Sequence, residues 1–304
     1  MESILVVQDL HKAYGPVQAV RGIDFSVERG ALFAFLGPNG AGKSTTINMI
    51  CTFLQPDRGT VLVDGCRLGR EDPEIRKRIG AVFQEGVLDD LLTVEENLKV
   101  RGSFYGLRGR ALGQAVGQAA EAAGVTDLMK RPYGKLSGGQ RRRCDIARAL
   151  VHTPRILFLD EPTTGLDPQT RRSVWDTIGR LRQEREMTIF LTTHYMEEAA
   201  AADDVVVLDA GRIAAQGTPA QLKEQYSKDR LLLNTRTPAP LAERLEGMGL
   251  SYHIVADTLE VQLPDTLSAL PILEACKPHL SGFEVVKGTM DDAFIAITGK
   301  EIRE

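Results

Sequence analysis

Residues 31–45 read ALFAFLGPNGAGKST: a continuous apolar run that ends on a glycine-rich loop. The loop opens onto TTINMICTFL (45–54), whose composition predicts a helix stopping before Pro56. An apolar run without alternation suits a strand buried on both faces, as in a parallel sheet covered by helices. Residues 37–44 fit GxxxxGK[ST] in the strand–loop–helix context that gives the motif its meaning. Backbone N–H groups of such a loop point inward at phosphate oxygens, and the helix N-terminus adds positive potential. Gly37, Gly40 and Gly42 permit close approach, with Pro38, Asn39, Ala41 and Thr45 completing the loop. Lys43 is expected to reach the β- and γ-phosphates, and the Ser44 hydroxyl to ligate Mg²⁺. The stretch reads as a nucleotide-phosphate site in an α/β protein.

Two further apolar runs extend that reading. RILFLDE (155–161) carries Asp160 to the end of a buried strand, where its carboxylate can hold Mg²⁺ through water, or merely cap the next segment. Glu161 follows and can act as base for, or orient, an attacking water. MTIFLTTH (187–194) ends on His194, which is either structural or in contact with the γ-phosphate or the water. The earlier strands ILVVQDL (4–10) and GIDFSVERG (22–30) alternate and predict an antiparallel layer. Residues 86–150 form an alanine-rich, helix-favouring insert, with Thr93 as N-cap and Glu96 at N3.

Inside that insert, LSGGQRRR (136–143) starts a helix: Ser137 and Gln140 fit a capping box. The capping box leaves Gly138 and Gly139 unexplained, since each costs about 1 kcal/mol against alanine inside a helix. Glycine at a helix N-terminus suits the approach of something anionic. The three arginines read as local chemistry or a solvated face, because a net charge of −4 over 304 residues argues against a general nucleic-acid binder. MESILVVQDLHK lacks a signal-peptide pattern, and no apolar run approaches a membrane span. Cys51, Cys66, Cys144 and Cys276 form no CxxC pair, which predicts reduced thiols in a soluble intracellular protein. The first domain is expected over 1–217, with a linker over 218–229 and a small α+β domain over 230–304. That last domain reads strand (230–236), helix (239–247), strands (251–256, 258–263), helix (265–277), strand (282–287), final helix: a βαββαβ ferredoxin-like order.

GPNGAGKST, LSGGQ, LFLDEPTTGLDP and TTH, in that order over about residues 1–220, resemble the ATP-binding subunit of an ABC transporter. The resemblance implies a P-loop NTPase of ABC-ATPase type, with antiparallel β layer and helical subdomain, that hydrolyses ATP with Mg²⁺. By motif position, Tyr14 of KAYG is the adenine-stacking aromatic, although a single tyrosine is more often packing. Gln84 of VFQ is the lid-loop glutamine contacting Mg²⁺ and the water, and Asp167 of GLD lies in the loop coupling two sites. In this family two subunits face head to tail. Ser137, Gly138, Gly139 and Gln140 of one chain then cover ATP on the P-loop of the other, which supplies the anion that the two glycines lacked. No hydrolytic position departs from the family pattern.

LDDLLTVEENL (88–98), HYMEEA (194–199) and TMDDAFIAITGK (289–300) are similar to the drug-resistance branch of the daunorubicin-exporter type. That branch pairs with a separate integral membrane permease, and related branches export polysaccharides, lipids, nodulation factors or sodium. The implied protein is a homodimer, or pairs with a similar ATPase chain. It sits on the cytoplasmic face of the membrane through the permease, without nucleic acid, and drives export of a drug-like, lipid or other hydrophobic substrate. The tail is either part of that specialisation or a dimer-stabilising module. A soluble ABC-type ATPase acting on DNA or ribosomes is the alternative, but its long heptad insertion or second cassette is missing here. A P-loop kinase leaves LSGGQ unused.

Overall fold

The computed structural model describes residues 2–255 and 258–299. The chain divides into two compact units, Met1–Gln216 and Gly217–Glu304.

In the first unit, β1 (Ser3–Tyr14) and β2 (Val17–Glu28) pair antiparallel and lead into β3 (Leu32–Leu36), which is buried throughout. The phosphate-loop segment and α1 (Lys43–Ile50) follow, then β4 (Arg58–Val63), β5 (Cys66–Arg67), α2 (Asp72–Arg78) and β6 (Ile79–Val82). Helix α1 ends four residues earlier than its composition suggests. Thr52 turns left-handed at φ 67°, and the amides of Phe53 and Leu54 fold back onto the Asn48 carbonyl.

The insert contributes α3 (Val94–Phe104), α4 (Gly109–Ala122) and α5 (Gly138–Leu150). The capping box at Thr93 and Glu96 is present as read. Beyond it come β7 (Ile156–Asp160), α6 (Pro168–Arg185), β8 (Thr188–Thr193), α7 (Met196–Ala200), β9 (Asp204–Asp209) and β10 (Arg212–Gly217).

The strands form an antiparallel sheet, β2-β1-β4-β5, and a six-stranded sheet, β10-β9-β3-β8-β7-β6. Within the second, β3 runs parallel to β8 and β9, and β7 runs parallel to β8 and β6. Phe25 of β2 meets Phe33, Phe35 and Phe190 at centroid distances of 5.6, 4.8 and 6.1 Å, joining the two sheets through one apolar core. That core fixes β3 rigidly at the base of the loop. Register does the rest: Leu36 pairs with Thr193 and Asp160 with Thr192. The C-terminal ends of β3, β7 and β8 therefore share one edge, where ligands of open α/β sheets bind.

The second unit opens with α8 (Pro219–Tyr226), so the expected linker over 218–229 is largely helical. The reason is local: Thr218 and Gln221 make a complete capping box and Pro219 sits in the first turn. Then follow β11 (Asp229–Asn234), α9 (Pro238–Gly247), β12 (Tyr252–Val255), β13 (Thr258–Leu263), α10 (Ala269–Cys276), β14 (Gly282–Val286) and α11 (Met290–Thr298), the last packed on α8. The antiparallel order is β12-β13-β11-β14, with Leu231, Leu233, Leu259 and Val261 turned onto a core with Leu241, Leu245 and Ile272. This is the split βαβ arrangement. Residue 256 of the expected strand, residue 300 of the tail motif and residues 301–304 of the expected domain lie outside the described residues.

Candidate active site

The first residue of α1 is Lys43, only 4% exposed. Its ammonium donates to the carbonyls of Gly37 (2.6 Å) and Pro38 (3.2 Å) and lies 3.6 Å from Glu161 Oε1. Burial lowers the Lys43 pKa, and the Glu161 carboxylate opposes that shift. Two of the loop glycines are dictated by the chain itself. A Cβ on Gly37 would lie 2.5 Å from the Leu208 carbonyl oxygen, and one on Gly42, at φ 106°, 2.5 Å from that of Ala19. Gly42 is also the N-cap of α1 and offers no side-chain cap, so the first-turn amides are left for an anion. Asn39 and Gly40 are exposed at the loop tip, while Ala41 is buried and Thr45 half-buried.

Beside the lysine, Ser44 Oγ donates to Asp160 Oδ1 at 3.3 Å, and Thr192 Oγ1 donates to the same oxygen at 2.5 Å. A hydroxyl and a carboxylate so placed fit Mg²⁺, a hard cation that prefers oxygen. Among the described residues no group of three His, Cys, Asp or Glu side chains can hold a metal alone, so the remaining ligands would come from phosphate and water.

Glu161 holds the next position in an unusual backbone conformation, φ 46°. Non-glycine residues seldom adopt it, and such outliers cluster at functional sites. Its amide donates to the carbonyl (3.2 Å) and hydroxyl (3.0 Å) of Thr192, which fixes the turn. Its carboxylate accepts from Thr164 Oγ1 at 3.2 Å and lies 3.4 Å from His194 Nδ1. His194 packs against Tyr195, whose other neighbour is the Arg171 guanidinium, 4.2 Å from the ring centre. The edge thus gathers Lys43, Ser44, Asp160, Glu161 and His194.

Other expected residues stand apart. Tyr14 closes β1 half-exposed, and no ring contact or hydrogen bond of its side chain ties it to the loop among the described residues. Gln84 is exposed and lines a cavity of about 310 Å³ with Gly138, Thr164 and Leu166. Its link to the cluster runs through its backbone: Arg142 Nη2 donates to the carbonyls of both Gln84 and Glu161, each at 3.3 Å. Arg142 is buried, so the triple-arginine stretch is local chemistry rather than a solvated face. Arg141 donates to the Leu136 and Gly134 carbonyls and Arg143 to that of Gly124. Arg142 had a sequence signal, a basic residue in the second turn of a capped helix, but nothing indicated where it would reach. Asp167 caps α6, accepting from the Thr170 amide at 3.0 Å; Thr170's hydrogen bonds hold its carboxyl below the usual range.

The capping box of Ser137 and Gln140 forms as read, with Ser137 and Gly138 exposed at the start of α5. The two glycines have different neighbours. A Cβ on Gly138 would meet Leu166 Cδ2 at 3.3 Å, but one on Gly139 would sit 2.0 Å from Thr170 Cγ2. A side chain at 139 would force Thr170 to turn or α5 and α6 to part, so the packing of α5 on α6 favours glycine there. This packing is a second reason for glycine at 139, beside the expected approach of an anion.

The model for the ABC transporter family matches residues 20–164. The daunorubicin/doxorubicin resistance ATP-binding protein DrrA of Streptomyces peucetius is 38% identical over 300 residues, 95% of this chain and 91% of that protein. The chain belongs to the ABC transporter family. The Nod factor export ATP-binding protein I of Ralstonia nicotianae is also 38% identical, over 99% of this chain and 95% of its own. Among solved structures, a dimeric ATP-binding cassette in a post-hydrolysis state, bound to ADP and Pi, matches with TM-score 0.64 and 28% identity, covering 70% of this chain and 98% of that one. This ABC protein is an ATPase, and its cassette fold is the one expected from the P-loop.

Proposed function

We propose that this ABC ATPase dimerises around two ATP and powers a separate membrane permease that exports a drug-like, lipid or other hydrophobic substrate. The observation that carries the chemistry is the placement of Glu161. Its carboxylate lies between Lys43, Thr164 and His194, one residue beyond the Asp160–Ser44 pair. In this reading Lys43 neutralises the β- and γ-phosphates and Glu161 takes the proton of the attacking water. His194 contacts the γ-phosphate or that water, Gln84 reaches in from its loop, and Tyr14 stacks on the base. Ser44 and Asp160 would hold Mg²⁺, with Gln84 as a further ligand; the ion offsets charge on the phosphates. Ser137, Gly138, Gly139 and Gln140 serve the nucleotide of a second chain, and Asp167 couples the two sites.

The dimeric relative with ADP and Pi supports the assembly. The relatives named for daunorubicin resistance and Nod factor export support an exporter of hydrophobic cargo. Among the described residues no helix is long and apolar enough to cross a membrane, which accords with a permease on another chain and a peripheral place on the cytoplasmic face.

Glu161→Gln tests the assignment. The amide cannot accept a proton, so ATP binding should persist while hydrolysis is lost, and the variant should accumulate as an ATP-bound dimer by size exclusion with light scattering. Turnover near the parent rate would place the base elsewhere.

A further inference from the structure

Glu198 lies on α7, four residues past His194, and is 3% exposed. A buried carboxylate is costly unless donors satisfy it, and here three do. Oε1 accepts from Thr163 Oγ1 and, at 3.2 Å, from Trp175 Nε1 of α6; Oε2 accepts from Thr193 Oγ1 at 2.6 Å. Among the described residues no cation pairs with it. Thr163 and Thr193 are themselves fully buried. Thr163 follows Glu161 by two residues, and Thr193 immediately precedes His194. A polar triad in this position is a poor space-filler, since apolar side chains would fill the volume without the desolvation cost.

We propose that Glu198 is a positioning residue for ATP hydrolysis. Its two carboxylate oxygens clamp the turn carrying Glu161 to the strand end carrying His194, setting their 3.4 Å approach. This rests on the reading of Glu161 and His194 given above. The clamp is itself anchored from α6, by Trp175 on the carboxylate and by Arg171 stacked on Tyr195. The Thr193 hydroxyl oxygen also accepts from the Tyr195 amide at 2.9 Å, so the segment after His194 is held at its start as well.

Glu198→Gln keeps the shape but turns one acceptor oxygen into a donor, so the donors on either the Thr163–Trp175 side or the Thr193 side lose their acceptor. A misplacement of about 1 Å can cost on the order of 100-fold in rate. The expected result is a kcat for ATP hydrolysis lower by about 10- to 100-fold, with KM and ATP affinity within about threefold of the parent. Trp175 is the chain's single tryptophan, so its emission should shift in the variant without any nucleotide. In a Glu161→Gln background, Glu198→Gln should lower the residual single-turnover rate by a smaller factor than it lowers the parent's, because the share of its effect that acts through Glu161 is already gone.

A parent-like kcat in Glu198→Gln, with Glu161→Gln inactive, overturns the clamp and leaves the site reading standing. Losses that multiply in the double variant also overturn it. An active Glu161→Gln would instead remove the reading on which the clamp rests. Should Glu198→Gln fail to fold, Thr163→Val removes one donor and is expected to lower kcat about 3- to 10-fold at unchanged KM; an unchanged kcat there counts equally against the proposal.

Discussion

Replacing each signature glycine by alanine should separate packing from assembly. In Gly139→Ala the new Cβ would sit 2.0 Å from Thr170 Cγ2, against the ~3.5–4.0 Å at which carbon atoms rest in contact. Thr170 must turn about χ1 or α5 and α6 must part. Overpacking of this kind costs about 1–3 kcal/mol, and the helix propensity of alanine returns at most about 1. A net loss of roughly 1–2 kcal/mol is expected in urea unfolding without nucleotide, followed through Trp175 in the same unit. Thr170→Ser deletes the offending methyl and leaves the hydroxyl, so the double variant should recover at least about 0.5 kcal/mol beyond additivity. Gly138→Ala meets only Leu166 Cδ2, at 3.3 Å, and faces solvent. Its stability should stay within about 0.5 kcal/mol of the parent, as for surface substitutions generally, while ATP-driven dimerisation in the Glu161→Gln background is lost. A Gly139→Ala variant as stable as the parent, with no coupling to Thr170, would refute the contact. A Gly138→Ala variant that dimerises normally would refute the docking role.

Lys43→Ala should weaken ATP binding about 10- to 100-fold, the loss expected when a charge-assisted donor leaves a buried site; unchanged affinity by calorimetry would count against its phosphate role. Burial pushes Asp145 up to about 6, despite Arg148, Arg142 and the Tyr133 hydroxyl at 3.1 Å, whereas the unfolded group titrates near 3.8. The native state therefore binds more protons between those values, so its stability falls as pH rises through the window. The advantage of Asp145→Asn over the parent should grow by about 2 kcal/mol from pH ~4.5 to ~7.5 in denaturant midpoints, and a pH-independent difference would sink the argument. With Asn39→Cys and Ser137→Cys, both at exposed positions, ATP and mild oxidant should give a covalent dimer in the Glu161→Gln background, because disulfides need Cα atoms about 4.4–6.8 Å apart. The native cysteines are all buried and should not compete; a crosslink confined to one chain would defeat the two-chain site.

The phosphate loop and the carboxylate pair were legible because each is contiguous: a buried strand, a few fixed residue types, then a helix. Asp160–Glu161 and His194 stand where two continuous apolar runs stop, which the sequence shows, while the register that sets those strand ends side by side belongs to the fold. The antiparallel layer and the capping box at Thr93 were readable for the same local reasons. What escaped depends on long separations. Nothing near Gly139 announces Thr170, thirty-one positions on and on another helix. Nothing near Glu198 announces Thr163, and the left-handed turn at Glu161 follows from bonds to Thr192 rather than from its own residue type. The α8 helix did carry a local signal, T-P-x-Q, outweighed in the reading by the polar composition around it.

Arg142 shows how these pieces act as one body. It belongs to the helix whose first turn is the LSGGQ segment, yet its guanidinium holds the backbone carbonyls of Phe83, Gln84 and Glu161. Carbonyls held by a buried charged donor do not drift independently, because each bond lost there leaves part of the charge unsatisfied. A displacement of α5 would strain the bonds that Arg142 makes to the Gln84 loop and to the Glu161 turn. If the exposed end of α5 docks on a second chain's nucleotide, as proposed, the load reaches the docking chain's own Glu161 and His194 through this guanidinium. In that reading, hydrolysis at one site would respond to occupancy of the other through these hydrogen bonds.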